Sequence, residues 1–226
     1  IIIVMDTKID KVYVDTCEEY IDKLNEGYIE NQIEITDPEQ MNRLGYHYEC
    51  GNGVRKDSTK AFEWYKKAAS CGYIISIYNV AVSYENGFGV EKDMHKAFNY
   101  YKKAAEMGYI FAMYDLGYLY MNGIGTNADE DEAFKWYYKS AIEGYIDAQW
   151  ELAYMYYEGI GTMQNYAKAF YWMKSAADNG FVLAYDGLGD YYKMGIGCEV
   201  NYDEATYWYK KAIESGYEVS KKKLGI

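Results

Sequence analysis

The sequence is poor in proline and histidine, and it lacks the short motifs that mark many catalytic and metal sites. Its 226 residues include one proline, Pro38, and two histidines, His47 and His95, which fall at unrelated positions. No H-E-x-x-H, G-x-S-x-G, C-x-x-C or Walker sequence occurs. The sequence therefore predicts a protein that is not an enzyme, with no catalytic residue, no metal ligand and no cofactor.

Basic residues are scarce relative to acidic ones. Lysine and arginine number 23 against 35 aspartates and glutamates, which gives a formal net charge of −12. Phosphate backbones and anionic lipid surfaces are bound by basic faces, so this balance argues against a nucleic-acid or membrane partner. No apolar run approaches the roughly 20 residues that a transmembrane helix needs.

The four cysteines are placed in a way that argues against disulfides. Cys50 and Cys71 fall at the ends of two successive predicted helices, and in an antiparallel pair those ends lie roughly 15–20 Å apart. A disulfide requires Cα atoms within about 7 Å of each other. Because reduced thiols are typical of intracellular proteins, we expect an intracellular, cytoplasmic location.

The most informative feature of the sequence is one phrase that recurs every 36 residues. The copies are KAFEWYKKAASCGY at 60–73, KAFNYYKKAAEMGY at 96–109, EAFKWYYKSAIEGY at 132–145, KAFYWMKSAADNGF at 168–181 and EATYWYKKAIESGY at 204–217. Between the copies, a leucine–glycine slot, a tyrosine slot and a G-x-G slot keep the same register. A fixed period of this size predicts a solenoid.

Each repeat reads as two helices separated by glycine turns. Helix A covers roughly 38–50, 75–86, 111–122, 147–158 and 183–194, and helix B covers roughly 58–70, 94–106, 130–142, 166–178 and 202–214. Helix A ends at the first glycine of G-x-G, which can adopt the left-handed conformation without a Cβ clash. An aspartate or asparagine, the residues favoured as N-caps, precedes every helix B.

One slot in the middle of helix A holds glycine in three of the five repeats, at Gly45, Gly117 and Gly189. Glycine in a helix interior costs about 1 kcal/mol relative to alanine. We therefore expect a neighbouring helix to pass too close to these positions for a larger side chain.

The full pattern resembles the Sel-one-like repeat family, relatives of the tetratricopeptide repeats. The pattern is A-x-x-x-L-G-x-x-Y-x-x-G-x-G-V-x-x-D-x-x-K-A-x-x-W-Y-x-K-A-A-x-x-G, and one unit reads VAVSYENGFGVEKDMHKAFNYYKKAAEMG. Tyr100, in place of the tryptophan, and Thr206, in place of the phenylalanine, are small departures. The resemblance implies an all-α fold, a right-handed superhelical α/α solenoid, and a role in protein–protein assembly.

Three segments make up the predicted organisation. Residues 1–40 form an N-terminal segment in which 15–28 are an incomplete helix B that ends at Gly27. Residues 41–217 hold five repeats, at 41–73, 74–109, 110–145, 146–181 and 182–217. Residues 218–226 are the start of a sixth helix A or a basic C-terminal cap.

In this class of repeat, helix A lines the concave face, so its variable positions are the predicted binding residues. Two of its slots are aromatic in the middle of the array and acidic near its C-terminal end, with further carboxylates beside them. Tyrosine and tryptophan are favoured anchors at protein interfaces. We expect a peptide or protein partner to contact Tyr78, Tyr114, Asp115, Tyr118, Trp150, Glu151, Tyr154 and Asp190.

Other interpretations of the same residues stay open. The aromatic side chains could pack against neighbouring helices, or could reflect an A+T-rich genome. Ser220-x-x-Lys223 resembles the S-x-x-K element of β-lactamases and penicillin-binding proteins, an activity proposed for some members of the family, but no S-D-N or K-T-G element accompanies it. A self-assembling repeat array is the third alternative.

Overall fold

The computed structural model of the chain describes residues 12–26 and 33–225. Residues 1–11 of the predicted N-terminal segment lie outside the described residues, as do residues 27–32 with the predicted helix end at Gly27. The elements are β1 (Val12–Val14), α1 (Cys17–Asn25), β2 (Ile33–Ile35), α2 (Pro38–Cys50), α3 (Ser58–Ser70), α4 (Ile74–Asn86), α5 (Met94–Glu106), α6 (Ile110–Asn122), α7 (Glu130–Ile142), α8 (Ile146–Glu158), α9 (Tyr166–Asp178), α10 (Val182–Met194), α11 (Tyr202–Glu214) and α12 (Lys221–Leu224).

The predicted all-α class and its repeated helical pairs are confirmed. Helix A of the repeats is α2, α4, α6, α8 and α10, and helix B is α3, α5, α7, α9 and α11. The chain divides into two compact units, Ile1–Met107 and Gly108–Ile226, which are described separately below.

The first unit contains two repeats and an N-terminal addition. The helix predicted at 15–28 is shorter, at Cys17–Asn25, and Thr16 caps it by accepting a hydrogen bond from the backbone N–H of Glu19. The strands on either side of this helix pair in parallel, with Val12 opposite Ile33. The ring of Tyr20 packs edge-on against Trp64 of α3 at 5.2 Å, which attaches the addition to the first repeat.

The second unit contains three repeats and the C-terminal segment. Its core is built from helix A leucines that are fully buried, Leu116, Leu152 and Leu188. Each is one repeat from the next, so one buried position recurs in every helix A. After α11 comes a short 3₁₀ turn at Glu218–Ser220 and then α12.

Every helix B begins at the predicted cap. The side chains of Asp57, Asp93, Asp129, Asn165 and Asn201 each accept a hydrogen bond, at 3.0–3.1 Å, from the backbone N–H three residues later. An N-cap of this kind stabilises a helix by about 1 kcal/mol. The start of each helix B is therefore fixed locally.

The mid-helix glycines lie against a helix B tyrosine, as predicted. In the second unit, a Cβ added to Gly117 would lie 2.9 Å from Cδ1 of Tyr137. A Cβ at Gly189 would lie 2.5 Å from Cε1 of Tyr209. Real Cβ contacts are not this short, so glycine at these positions lets a buried tyrosine lie directly on helix A.

The G-x-G turns are also explained by packing. The second glycine lies against the first turn of the preceding helix B: a Cβ at Gly161 would come 2.1 Å from the carbonyl oxygen of Glu130, and one at Gly197 would come 2.0 Å from that of Tyr166. Both glycines have positive φ. The recurrence of G-x-G thus follows from a close backbone contact between repeats.

Candidate functional site

The predicted residues of the second unit fall into two groups that differ in exposure. Tyr118 of α6 and Tyr154 of α8 occupy the same repeat position, and each side chain is 48% exposed. They lie one helical turn beyond Tyr114 and Trp150, which are only partly exposed. A tyrosine ring held half in water on a helix surface is available to a partner.

Tyr114 and Trp150 are held against other aromatic rings. Tyr114 contacts the ring of Tyr145 edge-on at 5.0 Å and that of Tyr137 at 5.4 Å, while Trp150 lies 5.8 Å from Phe181. Burial raises the pKa of the Tyr114 hydroxyl well above its usual range, and nearby carboxylates raise it further. These two side chains form the base from which the more exposed tyrosines project.

Two predicted acidic residues, Asp115 and Glu151, lie near Tyr114, together with Asp147, which was not predicted. Glu151 is partly buried, and its burial raises the pKa of its carboxyl above the ordinary value of 4.5, with a further contribution from Asp147. Glu151, Asp147 and Asp115 all act on the Tyr114 hydroxyl. Within the described part of the chain, neither Glu151 nor Asp147 forms an ion pair with a lysine or arginine. We call Tyr114, Asp115, Tyr118, Asp147, Trp150, Glu151 and Tyr154 the acidic tyrosine face.

Asp190 lies outside this face because residues of its own chain engage it. It accepts a hydrogen bond from the hydroxyl of Tyr209 at 2.7 Å, and it forms an ion pair with Lys223 at 2.5 Å. Lys223 also lies 2.7 Å from Asp186, so both carboxylates share one ammonium group. The structure therefore uses Asp190 to hold the C-terminal segment.

The same contacts bear on the S-x-x-K element. Ser220 is fully buried, and its hydroxyl donates a hydrogen bond to Asp186 at 2.6 Å. Burial acts to lower the pKa of Lys223, but the hydrogen bonds and charges of Asp186 and Asp190 outweigh it and hold that pKa above its usual value. An inaccessible hydroxyl beside a protonated lysine is not arranged as a nucleophile with its base.

The first unit has its own helix A surface, which contains Tyr78. The Tyr78 ring is partly buried and packs edge-on against Tyr101 at 5.5 Å. A concavity of about 600 Å³ on this surface is lined by residues that include Asn42, Tyr46 and Asn79. Within its lining, Asn42 accepts a hydrogen bond from the side chain of Asn79 at 3.0 Å.

One cluster of possible metal ligands was not predicted from the sequence. Ligand atoms of Cys17, Glu18 and His47 lie within 4.8 Å of one another, although these residues are distant in sequence. The guanidinium of Arg43 lies 3.0 Å from the Glu18 carboxylate. Burial and the hydrogen bond to Glu18 raise the pKa of the Cys17 thiol to about 11. The cluster is thus satisfied as a neutral thiol with an ion pair.

Two further features concern the setting of the protein. Cys17, Cys50, Cys71 and Cys198 are all free thiols in the described structure. None of the helices among the described residues combines the length and the apolar character needed to cross a bilayer.

Comparison with known proteins places these features in a family. The Sel1 repeat model matches residues 38–73, 74–109, 110–145, 146–181 and 182–217. A protective antigen of uropathogenic Escherichia coli strains with an SLR fold is 33% identical and superimposes with a TM-score of 0.81; the match covers 92% of this chain but only 43% of the antigen. A Sel1 repeat protein from Oxalobacter formigenes is 35% identical, with a TM-score of 0.75, over 78% of this chain and 73% of that one. The comparison with curated proteins gave no match.

Proposed function

Because the chain belongs to the Sel1 repeat family, we propose that it is a non-catalytic scaffold that binds a protein or peptide segment on its acidic tyrosine face. Proteins of this family generally serve in protein–protein interaction. The chain spans less than half of the E. coli antigen. We therefore propose a binding function for these repeats and not for the whole of a longer protein.

The observation that carries the proposal is the pair Tyr118 and Tyr154. Each residue is 48% exposed at the same repeat position, one helical turn beyond Tyr114 and Trp150, which pack against the rings of Tyr137, Tyr145 and Phe181. A rigid aromatic side chain with few rotamers loses little entropy when a partner covers it. The carboxylates beside these rings supply polar contacts and limit which partners fit.

The location is part of the same proposal. Four free cysteines, two of them exposed, support a reducing intracellular compartment. In an oxidising compartment, the exposed thiols of Cys50 and Cys71 would be open to oxidation.

Affinity capture from an extract of the source cells tests the binding face. The wild type is compared with a Tyr118→Ser/Tyr154→Ser variant. The matched control is Tyr171→Ser/Tyr207→Ser, which removes two somewhat more exposed tyrosines, 63% and 54%, from helix B of the same unit. Circular dichroism establishes that all three chains have the same helix content.

We expect a protein that the wild type and the control capture and that the helix A variant loses. Loss from both variants would mean a general effect of removing surface tyrosines. Retention by both variants would remove the acidic tyrosine face as the binding site.

A further inference from the structure

The second unit contains an internal example of how its helix A surface holds a cation. Lys223 places its ammonium group 2.7 Å from Asp186 and 2.5 Å from Asp190, both on α10. The same group lies 5.2 Å from the centre of the Tyr209 ring, which helix B supplies. Carboxylates from helix A and a tyrosine ring from helix B thus form a binding site for a lysine side chain.

Two repeats earlier, the equivalent positions differ in charge. Glu151 occupies the repeat position of Lys223, while Tyr114, Tyr118 and Tyr137 occupy those of Asp186, Asp190 and Tyr209. After burial, the Glu151 carboxylate is the next cause that raises the pKa of the Tyr114 hydroxyl. Glu151 and Tyr118 both raise the pKa of the Tyr137 hydroxyl, after burial as the largest cause. This position of the array therefore has a carboxylate, Glu151, near tyrosine rings, but it has no lysine equivalent to Lys223.

Two carboxylates of this region, those of Glu151 and Asp147, have no lysine or arginine partner among the described residues. Glu151 is partly buried beside Asp147, a second carboxylate. Two lysines of α7, the helix that precedes α8 in the chain, have partners of their own: Lys139 lies over the Trp136 ring at 3.9 Å, and Lys135 pairs with Glu132 at 2.7 Å. A cation supplied by a partner would offset the desolvation cost of these carboxylates and reduce the repulsion between them.

We propose that the partner presents a lysine or arginine side chain to Glu151 and Asp147 beside the Tyr114 ring, while its neighbouring residues contact Tyr118 and Tyr154. This inference rests on the proposed function and adds the chemistry of the partner. The methylene groups of a long cationic side chain lie along tyrosine rings while its charge reaches a carboxylate. The partner is therefore a basic segment of extended peptide.

A random 12-residue peptide library displayed on phage is the probe. It is selected on the wild type, and the enriched peptides are then synthesised with a fluorescent label. Their affinities are measured for the wild type, for Glu151→Gln/Asp147→Asn and for Glu199→Gln/Glu214→Gln. The last variant is the matched control, since it removes the same charge from two exposed positions.

We expect the enriched peptides to share a lysine or arginine at one position. Affinity should fall at least about tenfold for Glu151→Gln/Asp147→Asn and less than about twofold for the control. Replacing the shared basic residue by glutamine should cause a similar loss with the wild type. Comparing lysine and arginine versions of each peptide then distinguishes the two cations.

Three results would overturn the inference and leave the proposed function in place. The first is a set of peptides without a shared basic residue that still require Tyr118 and Tyr154. The second is no enrichment from the library although affinity capture identifies a partner that depends on those tyrosines. Equal losses from both charge variants would also overturn it, because they would indicate attraction by net charge alone.

Discussion

Replacing Gly117 by leucine should destabilise the protein by about 2 kcal/mol or more. A Cβ at this position would lie 2.9–3.0 Å from three atoms of the ring of Tyr137, a residue that is only 2% exposed. Overpacking of a core by several carbon atoms costs about 3 kcal/mol, and leucine regains somewhat less than about 1 kcal/mol through its helix propensity. Urea unfolding followed by far-UV circular dichroism measures the difference.

Two alanine substitutions test the same reasoning by degree. Gly117→Ala should be nearly neutral, because the gain in helix propensity of about 1 kcal/mol offsets a mild clash. Gly189→Ala should be less stable than Gly117→Ala, since its Cβ would lie only 2.5 Å from Tyr209. If Gly117→Leu unfolded within about 0.5 kcal/mol of the wild type, close packing would not explain these glycines.

Three further predictions concern charges, caps and thiols. Burial and a neighbouring carboxylate raise the pKa of Glu151 above 4.5, so the folded chain binds this proton more tightly than the unfolded chain does, and the stability of the fold falls as the pH rises from about 4.5 through the raised pKa. Glu151→Gln should therefore raise the Tm at neutral pH, and at a pH well below 4.5 it should leave the Tm unchanged, as a calorimetric pH series would show. Asp129→Ala should lose about 1 kcal/mol in urea unfolding because its cap bond disappears, whereas the exposed, non-capping Asp131→Ala should not. Cys17, buried and with a pKa raised to about 11, should be alkylated only upon unfolding, whereas exposed Cys50 should react at once, as peptide mass spectrometry would show.

The helix boundaries show how far local sequence signals reach. Every helix B was predicted at its observed bounds, because an aspartate or asparagine cap marks its start. In repeats two to five, helix A begins one residue earlier than predicted. Its N-cap there is Tyr73, Tyr109, Tyr145 or Phe181, and in the described structure these side chains make no capping hydrogen bond. A start without a polar cap leaves no local signal to read.

All residues of the face except Asp147 were predicted from the repeat, but the exposure of each residue was not. The period put Tyr114 and Tyr118 on one helix surface, yet only the structure separates the ring that packs on Tyr145 from the ring that is 48% exposed. Asp190 also depended on a distant residue, Lys223, whose position the sequence could not supply. Contacts between elements decided these roles.

The N-terminal addition shows the limit most clearly. Its strands are three residues each and pair across the intervening α1 helix. Segments this short carry no reliable alternation of apolar and polar residues. The approach of Cys17 and Glu18 to His47 likewise depends on how this addition packs on the first repeat.

Photo-crosslinking tests the central claim, that the acidic tyrosine face binds a protein partner, most directly. A photoreactive phenylalanine analogue replaces Tyr118 in one chain and Tyr171, on helix B, in another, and both are irradiated in the source cells. We expect one discrete protein to be crosslinked at position 118 and not at position 171. The same crosslinks from both positions, or crosslinks from position 171 alone, would contradict it.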